Sequence, residues 1–112
     1  MAKFEIEIIT RRGNRFRGGG KTLQETRVMA CRWAKDENAT VMIRQDVGYG
    51  VWKEIEKIWY DPEMTSNVWA HTAFRTGFWI QIYARDGKNG RRCRVSPKTG
   101  RLLDASKEWK YL

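Results

Sequence analysis

The stretch that decides the fold is residues 22–45, TLQETRVMACRWAKDENATVMIRQ. Thr22 and Glu25 have the spacing of a capping box, in which side chains bind the backbone N–H groups of the first turn, so they predict the start of a helix. The apolar residues that follow recur at helical spacing and predict a helix to about Asp36. Residues 39–45 are rich in β-branched side chains and predict a strand. The expected buried stripe of the helix is Leu23, Met29, Ala30, Trp33 and Ala34, and the expected solvent-facing residues are Arg27, Arg32 and Lys35.

Strand patterns lie on both sides of this helix–strand unit. Residues 3–10 alternate apolar and charged side chains, which predicts a half-buried antiparallel strand. A turn at 11–14 then predicts a short return strand at 15–17. Further along, residues 78–84 and 91–95 predict a hairpin, because the segment between them holds the Asp-Gly and Asn-Gly pairs that hairpin turns prefer.

Two stretches leave alternatives open. Residues 51–60 fit both a helical face and a strand, and the glycine-rich turn before them favours the strand. Residues 67–75 fit either a strand or a short helix. Together the elements predict an α+β fold, with a twisted antiparallel sheet of about five strands and one principal helix packed on one face. The length predicts a single domain, 1–112.

The positive charge of the chain is concentrated in two blocks. Residues 11–35 carry eight Lys and Arg against one acid, and residues 85–110 carry nine against three. Residues 36–84 carry four against seven, and the net charge of the whole chain is +9. Clustering of this kind predicts contact with a polyanion: DNA, RNA, or an acidic protein or nucleoprotein complex.

Each basic block contains an arginine-rich hairpin. Arginine forks bind phosphate oxygens in pairs, a hairpin can carry several of them into a groove, and nearby rings can stack on unpaired bases. Six phosphate contacts would make log K fall with log salt at a slope of about −5. The candidate polyanion-binding residues are Arg11, Arg12, Arg15, Arg17, Lys21, Lys88, Arg91, Arg92, Arg94 and Lys98, and the candidate stacking residues are Phe16, Trp79 and Tyr83. A further ring, Trp59, fits an inward strand position.

Residues 18–22, Gly-Gly-Gly-Lys-Thr, follow a strand and open a helix. A phosphate-binding loop with this ending requires Gly at position 15, which is Arg here, so a flexible joint before a capped helix is the better interpretation. A lone anion could still bind at the helix start, where free N–H groups are expected.

No residue set in the chain predicts a reaction. A restriction-type nuclease needs an acid-x-Lys triplet, and Lys57 has Ile55 at the position of the acid. Glu54 and Glu56 alternate with lysines and are interpreted as the solvated face of an edge strand, and His71 has no Ser or Cys nucleophile in a recognisable motif beside it. We therefore expect no catalysis, no cofactor and no metal site. The acids tested in this way are Asp46, Glu54, Glu56, Asp61 and Glu63.

The cysteines and the hydropathy pattern bear on location. Cys31 and Cys93 are far apart, and the first residues have no signal-peptide pattern, so both are expected to be free thiols in a reducing cytoplasm. No apolar run approaches the roughly 20 residues of a membrane helix, so no membrane partner is expected.

Residues 22–43 resemble the helix-then-strand unit of small phage and mobile-element proteins with a β-α-β-β core, some of which are anti-CRISPR proteins. The resemblance rests on the apolar alternation around a short helix, and it implies a non-catalytic binding protein that occludes a nucleic-acid groove or alters an assembly. The leading prediction is a small basic protein that contacts nucleic acid through two arginine-rich hairpins. The alternative is a phage or mobile-element inhibitor or accessory factor that docks on a protein or nucleoprotein complex.

Overall fold

The computed structural model describes residues 3–61, 77–83 and 91–103. Within them the chain forms an antiparallel sheet and a helix, so the fold is α+β. Across the sheet the strands lie in the order β2-β1-β3-β4-β5-β6-β7. The elements are β1 (Phe4–Thr10), β2 (Gly13–Gly18), α1 (Leu23–Asp36), β3 (Thr40–Asp46), β4 (Trp52–Tyr60), β5 (Phe78–Ile82), β6 (Arg91–Val95) and β7 (Leu102–Leu103).

The predicted count of about five strands is too low. Among the described residues, six strands hold five or more residues each, and the two-residue β7 adds a short edge beyond β6. The short return after the first turn is a full strand that pairs with β1 along its whole length, which the sequence underestimates. Residues 51–60 form strand β4, as the glycine-rich turn before them favours, and residues 67–75 lie outside the described residues.

The start of α1 carries the predicted cap. The backbone N–H of Glu25 donates to Thr22 Oγ1 at 3.1 Å, and Glu25 Oε2 accepts from the backbone N–H of Lys21 at 2.9 Å. The helix ends at Asp36, and the backbone N–H of Ala39 donates to the carbonyl of Ala34 at 3.1 Å as the chain turns into β3. No helix among the described residues has the length and apolar character that crossing a membrane requires.

The core lies between α1 and the sheet. Paired positions in antiparallel strands share a face, so the period-two pattern of each strand lines up into apolar rows. One such row crosses five strands, and each of its members has 0% of its surface exposed: Ile8, Val41, Ile58, Ile80 and Cys93. From α1, Ala30, Cys31 and Ala34 belong to the same buried cluster, while Leu23, Met29 and Trp33 pack against it partly buried.

Two charged residues lie in this core against expectation. Arg27 was predicted in solvent and is 9% exposed, and Glu56 was predicted on a solvated edge strand and is 3% exposed. β4 lies in the middle of the sheet, and a bulge next to it pairs Ile43 with Glu56 but Arg44 with Glu54. Glu56 is two residues from Ile58, so it shares the core face and turns towards α1. The bulge shifts the alternation by one residue before Glu56, so Glu54 lies on the opposite face.

The opposite face of the sheet, here called the distal face, carries a different set of side chains. Successive residues of a strand point to opposite faces, so the neighbours of the core residues lie there. Trp59 is one of them, and its predicted inward position is therefore wrong, because its neighbour Ile58 occupies the core row. The distal face includes Glu7, Phe16, Met42, Arg44, Glu54, Lys57, Trp59, Trp79, Gln81, Arg92 and Arg94.

Candidate nucleic-acid interface

The two arginine hairpins do not converge on one surface. β2 is the first strand of the sheet, and β6 lies five strand spacings away, which corresponds to about 24 Å. Arg15 and Arg17 pair with the core residues Ile8 and Ile6, so their side chains are on the α1 side. Arg92 and Arg94 belong to the distal face. The described arginines of the two hairpins therefore lie on separate surfaces.

The N-terminal arginine hairpin consists of Arg11, Arg12, Arg15 and Arg17. The Cζ atoms of Arg15 and Arg17 lie 5.9 and 5.3 Å from the ring centroid of Trp33 on α1. Arg15 also forms an ion pair with Glu37. The exposed Arg11 and Arg12 line an open groove of about 630 Å³ together with Thr10, Asp36, Glu37 and Asn38. Carboxylates of the central segment therefore offset part of the positive charge at this hairpin.

The second hairpin brings cations beside rings. On the distal face, Trp59 pairs with Trp79, and Trp79 pairs with Arg94. One row along the strands, Lys57 pairs with Gln81, and Gln81 pairs with Arg92. These two rows across β4, β5 and β6 form what we call the aromatic–cation cluster: Lys57, Trp59, Trp79, Gln81, Arg92 and Arg94.

The cluster has a well-defined geometry. The rings of Trp59 and Trp79 lie nearly parallel, at 14°, with their centroids 6.5 Å apart. Lys57 Nζ and Arg92 Cζ lie 5.6 and 5.4 Å from the Trp59 centroid, and Arg94 Cζ lies 5.2 Å from that of Trp79. These distances are within the range of cation–π attraction. The arrangement therefore fixes a pair of parallel rings between positive charges.

The members of the cluster differ in exposure. Arg92 is exposed, and its Nε donates to Gln81 Oε1 at 2.7 Å, which orients the guanidinium. Both rings are half-buried, whereas Arg94 is only 3% exposed. Arg92 is thus placed to meet a ligand, while Arg94 supports the ring of Trp79 from below the surface.

Tyr83 extends the cluster past the end of β5. Its backbone N–H donates to the carbonyl of Ile55 at 3.0 Å. Partial burial and the nearby carboxylate of Glu54 raise the pKa of Tyr83, and the positive charge of Arg92 opposes that rise. Of the predicted site residues, Trp79, Tyr83, Arg92 and Arg94 are therefore brought together.

Phe16 is also on the distal face, but in a different electrostatic setting. It lies on β2, three strand spacings or about 14 Å from β4, and Arg44 Cζ is 5.2 Å from its ring centroid. Arg44 in turn pairs with Glu7 at 2.7 Å, and Asn14 Nδ2 donates to Glu7 at 2.9 Å. A second carboxylate, that of Glu54, lies 3.9 Å from Arg44. Two carboxylates thus surround one arginine on this half of the distal face.

Three backbone N–H groups before α1 are bound within the chain. The N–H groups of Gly19, Gly20 and Lys21 donate to the carbonyl of Phe4 at 2.8 Å, Thr26 Oγ1 at 3.0 Å and Glu25 Oε2 at 2.9 Å. The chain itself supplies the acceptors of these three N–H groups, and the lone anion at the helix start stays a prediction.

The remaining predicted residues are scattered or not described. Lys21 and Lys98 are exposed, and Lys98 borders a groove beside α1 with Thr22 and Glu25, away from the aromatic–cation cluster. Arg91 begins β6, and only its backbone is described. Lys88, Glu63 and His71 lie outside the described residues. In the parts of the chain that the structure describes, no three His, Cys, Asp or Glu side chains form a group that could hold a metal ion.

Sequence reasoning missed Lys57 and Trp59. The signal was available in part, because residues 51–60 precede a strand-rich second half and alternate with charges. What the sequence lacked was the pairing of β4 with β5, which sets Trp59 opposite Trp79.

Comparison with protein-family models, curated proteins and solved structures found no match for this chain. The resemblance of residues 22–43 to phage proteins stays a prediction.

Proposed function

We propose that this protein binds single-stranded nucleic acid on the distal face, over β4, β5 and β6. The observation that carries the proposal is the parallel pair of Trp59 and Trp79, 6.5 Å apart and flanked by cations. Base–aromatic stacking contributes about 1–3 kcal/mol per base, and cations beside the rings contact the phosphates. The proposed role is binding, and no residue is assigned to catalysis.

A single strand fits this surface better than a duplex. Unpaired bases can leave their stack and lie on rings that stand on a sheet, whereas the bases of a duplex stay paired and stacked. Trp79 and Tyr83 are four residues apart along one strand, about 13 Å, which gives room for a few nucleotides. Gln81 and Arg92 lie between these two rings and can donate hydrogen bonds to base edges or phosphates.

The charge pattern of the distal face supports the same location. The cations of the aromatic–cation cluster are on β4 and β6, whereas Arg44 on β3 lies between Glu7 of β1 and Glu54 near the start of β4. Phosphates are therefore attracted to Lys57 and Arg92 and not to the surroundings of Glu7 and Glu54. The two buried cysteines, Cys31 and Cys93, form no disulfide with each other, which supports a location in the reducing cytoplasm.

The test is binding of labelled single-stranded oligonucleotides, measured by fluorescence anisotropy at low salt. We expect Trp79→Leu to weaken binding by about 1–3 kcal/mol, because the stacking surface is lost, and Trp79→Phe to keep most of the affinity. Arg92→Gln should weaken binding, whereas Arg12→Gln, which removes the same charge from the other edge of the sheet, should not. A chain that binds no single strand at micromolar protein would refute the proposal, and thermal melts check that each variant is folded.

Docking on a protein is a second candidate function, and the tip of the β3–β4 hairpin favours it. Val47, Tyr49, Val51 and Trp52 expose between 39% and 105% of their reference surface. The tip is held by its own hydrogen bonds, from Val47 N–H to the Val51 carbonyl and from Val51 N–H to the Gly48 carbonyl, both at 3.0 Å. Rigid exposed aromatic side chains are common in protein interfaces. A Tyr49→Ser/Trp52→Ser variant that keeps oligonucleotide binding but loses a protein partner would support this candidate.

A further inference from the structure

Strand β2 is an edge strand with an exposed surface along its whole length. It pairs with β1 and with no other described strand, and all six of its residues are exposed. The proposed nucleic-acid site leaves this strand and its arginines unused. An edge strand presents unpaired backbone N–H and C=O groups, to which another extended chain can add.

The hydrogen bonds of β1 identify which backbone groups point outward. The N–H of Gly19 donates to the carbonyl of Phe4, and the N–H of Asp46 donates to the carbonyl of Lys3, so the even residues of β1 face β2. The even residues of β1 pair with residues 13, 15 and 17 of β2. The backbone N–H and C=O groups of these three residues therefore point towards β1. The backbone groups of Asn14, Phe16 and Gly18 point away from the sheet.

The side chains on this edge carry positive charge at the best positions for a strand partner. The backbone N–H and C=O groups of Arg15 and Arg17 point towards β1. An antiparallel strand added at the outer edge of β2 would therefore face these two residues at non-hydrogen-bonded positions, where opposing Cα atoms are about 4.5 Å apart. Side chains interact most closely at these positions. Both guanidinium groups rest near the Trp33 ring, which holds them on the α1 side of the edge.

Charge selects the kind of strand that can add. If two copies of β2 paired antiparallel about Phe16, Arg15 of one copy would lie opposite Arg17 of the other, and like charges directly opposite each other are destabilising. A strand with carboxylates at alternate positions would place them opposite Arg15 and Arg17. Arg15 already pairs with Glu37, so Arg17 is the stronger anchor for an incoming carboxylate.

We propose that the outer edge of β2 binds an extended acidic peptide segment of a protein partner as an additional strand. A peptide is favoured over a nucleic acid at this site because only a peptide carries the alternating donors and acceptors that match the outward groups of Asn14, Phe16 and Gly18. This site is on the opposite edge from the aromatic–cation cluster, and it stands whether or not that cluster binds nucleic acid.

The probe is a labelled peptide, Thr-Val-Glu-Thr-Glu-Val-Thr, titrated with the full chain and followed by fluorescence anisotropy. The control peptide has both glutamates replaced by lysine and should not bind. Amide hydrogen exchange provides the second measurement: the peptide should slow exchange at Phe16 and Gly18, whose amides point outward, and leave Arg15 and Arg17 unchanged. Slowing at the outward amides alone is the signature of an added strand.

Two variants separate backbone pairing from simple attraction. Phe16→Pro removes an outward N–H without touching the pairing with β1, so peptide affinity should fall about three- to tenfold, the worth of one backbone hydrogen bond. Phe16→Ala keeps the N–H and should bind within about threefold of wild type. Arg17→Glu should abolish binding, and melting curves confirm that each variant is folded.

Other outcomes would overturn the proposal. Equal binding of the lysine peptide, unchanged exchange at Phe16 and Gly18, or no binding at all would mean that the arginines only protect the edge from pairing. Displacement of the peptide by a single-stranded oligonucleotide in Trp79→Leu, together with loss of direct oligonucleotide binding in Arg17→Glu, would assign this edge to nucleic acid. Loss of oligonucleotide binding in Trp79→Leu with peptide binding intact would leave both sites as proposed.

Discussion

The guanidinium of Arg27 and the carboxylate of Glu56 form a two-pronged ion pair that joins α1 to the middle of the sheet. Arg27 Nε lies 2.8 Å from Glu56 Oε1, and Nη2 lies 2.5 Å from Oε2. A third donor, Nη1, reaches the carbonyl of Gly100 at 3.1 Å. One side chain therefore connects the helix, the central strand and the turn after β6.

Removing one partner of this pair should be costly. Arg27→Leu leaves the carboxylate of Glu56 buried without its cation, so we expect the free energy of unfolding to fall by about 3–5 kcal/mol. The double variant Arg27→Leu/Glu56→Leu removes both charges and should recover part of the loss. Urea denaturation of the two single variants and the double variant measures the coupling. Additive losses would mean that the two charges do not stabilise each other.

Gly100 should tolerate no side chain. Its φ is +75°, and a Cβ built on it would lie 2.1 Å from the carbonyl oxygen of Gln24 on α1. Gly48 has φ +102° but open space around it, so Gly48→Ala measures backbone strain alone. We expect Gly100→Ala to lower the free energy of unfolding by about 1–3 kcal/mol more than Gly48→Ala does, because this is the usual cost of overpacking. Urea denaturation measures the difference. Equal losses would show that the turn moves away from α1 at little cost.

The sequence predicts local structure well where one residue pattern acts alone. Thr22 and Glu25 mark the start of the helix correctly because a cap depends only on neighbouring residues. The β3–β4 pairing puts Ile58, and not Trp59, on the core face, and this pairing is not visible in the sequence, so the pattern alone places Glu56 in solvent. Burial of Arg27 follows from the same pairing, because Glu56 shares the core face with Ile58 and accepts the guanidinium of Arg27 there.

The sequence predicts which residue types form the candidate site, but not how these residues are arranged. Arg92, Arg94 and Trp79 were identified because charge and aromatic residues cluster along the chain. Their relation to Trp59 depends on which strands pair, and their separation from Arg15 depends on the order of all strands in the sheet. These are long-range relations, which composition and periodicity do not contain.

Tyr49 should be replaceable with a gain in stability. Its φ is +56°, a left-handed conformation that disfavours side chains with a Cβ, and its side chain is fully exposed at 105% of the reference surface. Tyr49→Asn should raise the free energy of unfolding by about 0.5–1 kcal/mol, because Asn adopts this conformation more easily. Tyr49→Phe keeps the backbone strain and should leave the free energy of unfolding unchanged. Thermal and urea unfolding measure both variants. A loss of stability in Tyr49→Asn would show that the ring makes a stabilising contact.

Ionisation of the Cys31 thiol should lower the free energy of unfolding at alkaline pH. Burial raises the pKa of its thiol from 9.0 to about 12, with the positive charge of Arg27 opposing the rise. A group whose pKa is higher in the folded state stabilises fully below its unfolded pKa, and this stabilisation is lost as pH rises from 9.0 towards about 12. The difference in unfolding free energy between wild type and Cys31→Ala should therefore shrink above pH 9.0 by up to about 1.4 kcal/mol per unit. Parallel stability profiles from pH 8 to pH 11 would contradict this.

The salt dependence of oligonucleotide binding should distinguish the distal face from a site built on both hairpins. Two phosphate contacts, from Lys57 and Arg92, predict a slope of log K against log salt of about −1.4 for a single strand, because each contact contributes about −0.7. Six contacts over both hairpins would give about −4. Arg92→Gln should reduce the slope by about 0.7, whereas Arg12→Gln should leave it unchanged, since Arg12 lies at the opposite edge of the sheet. A steep slope that falls equally in both variants would mean that the strand contacts both edges of the sheet.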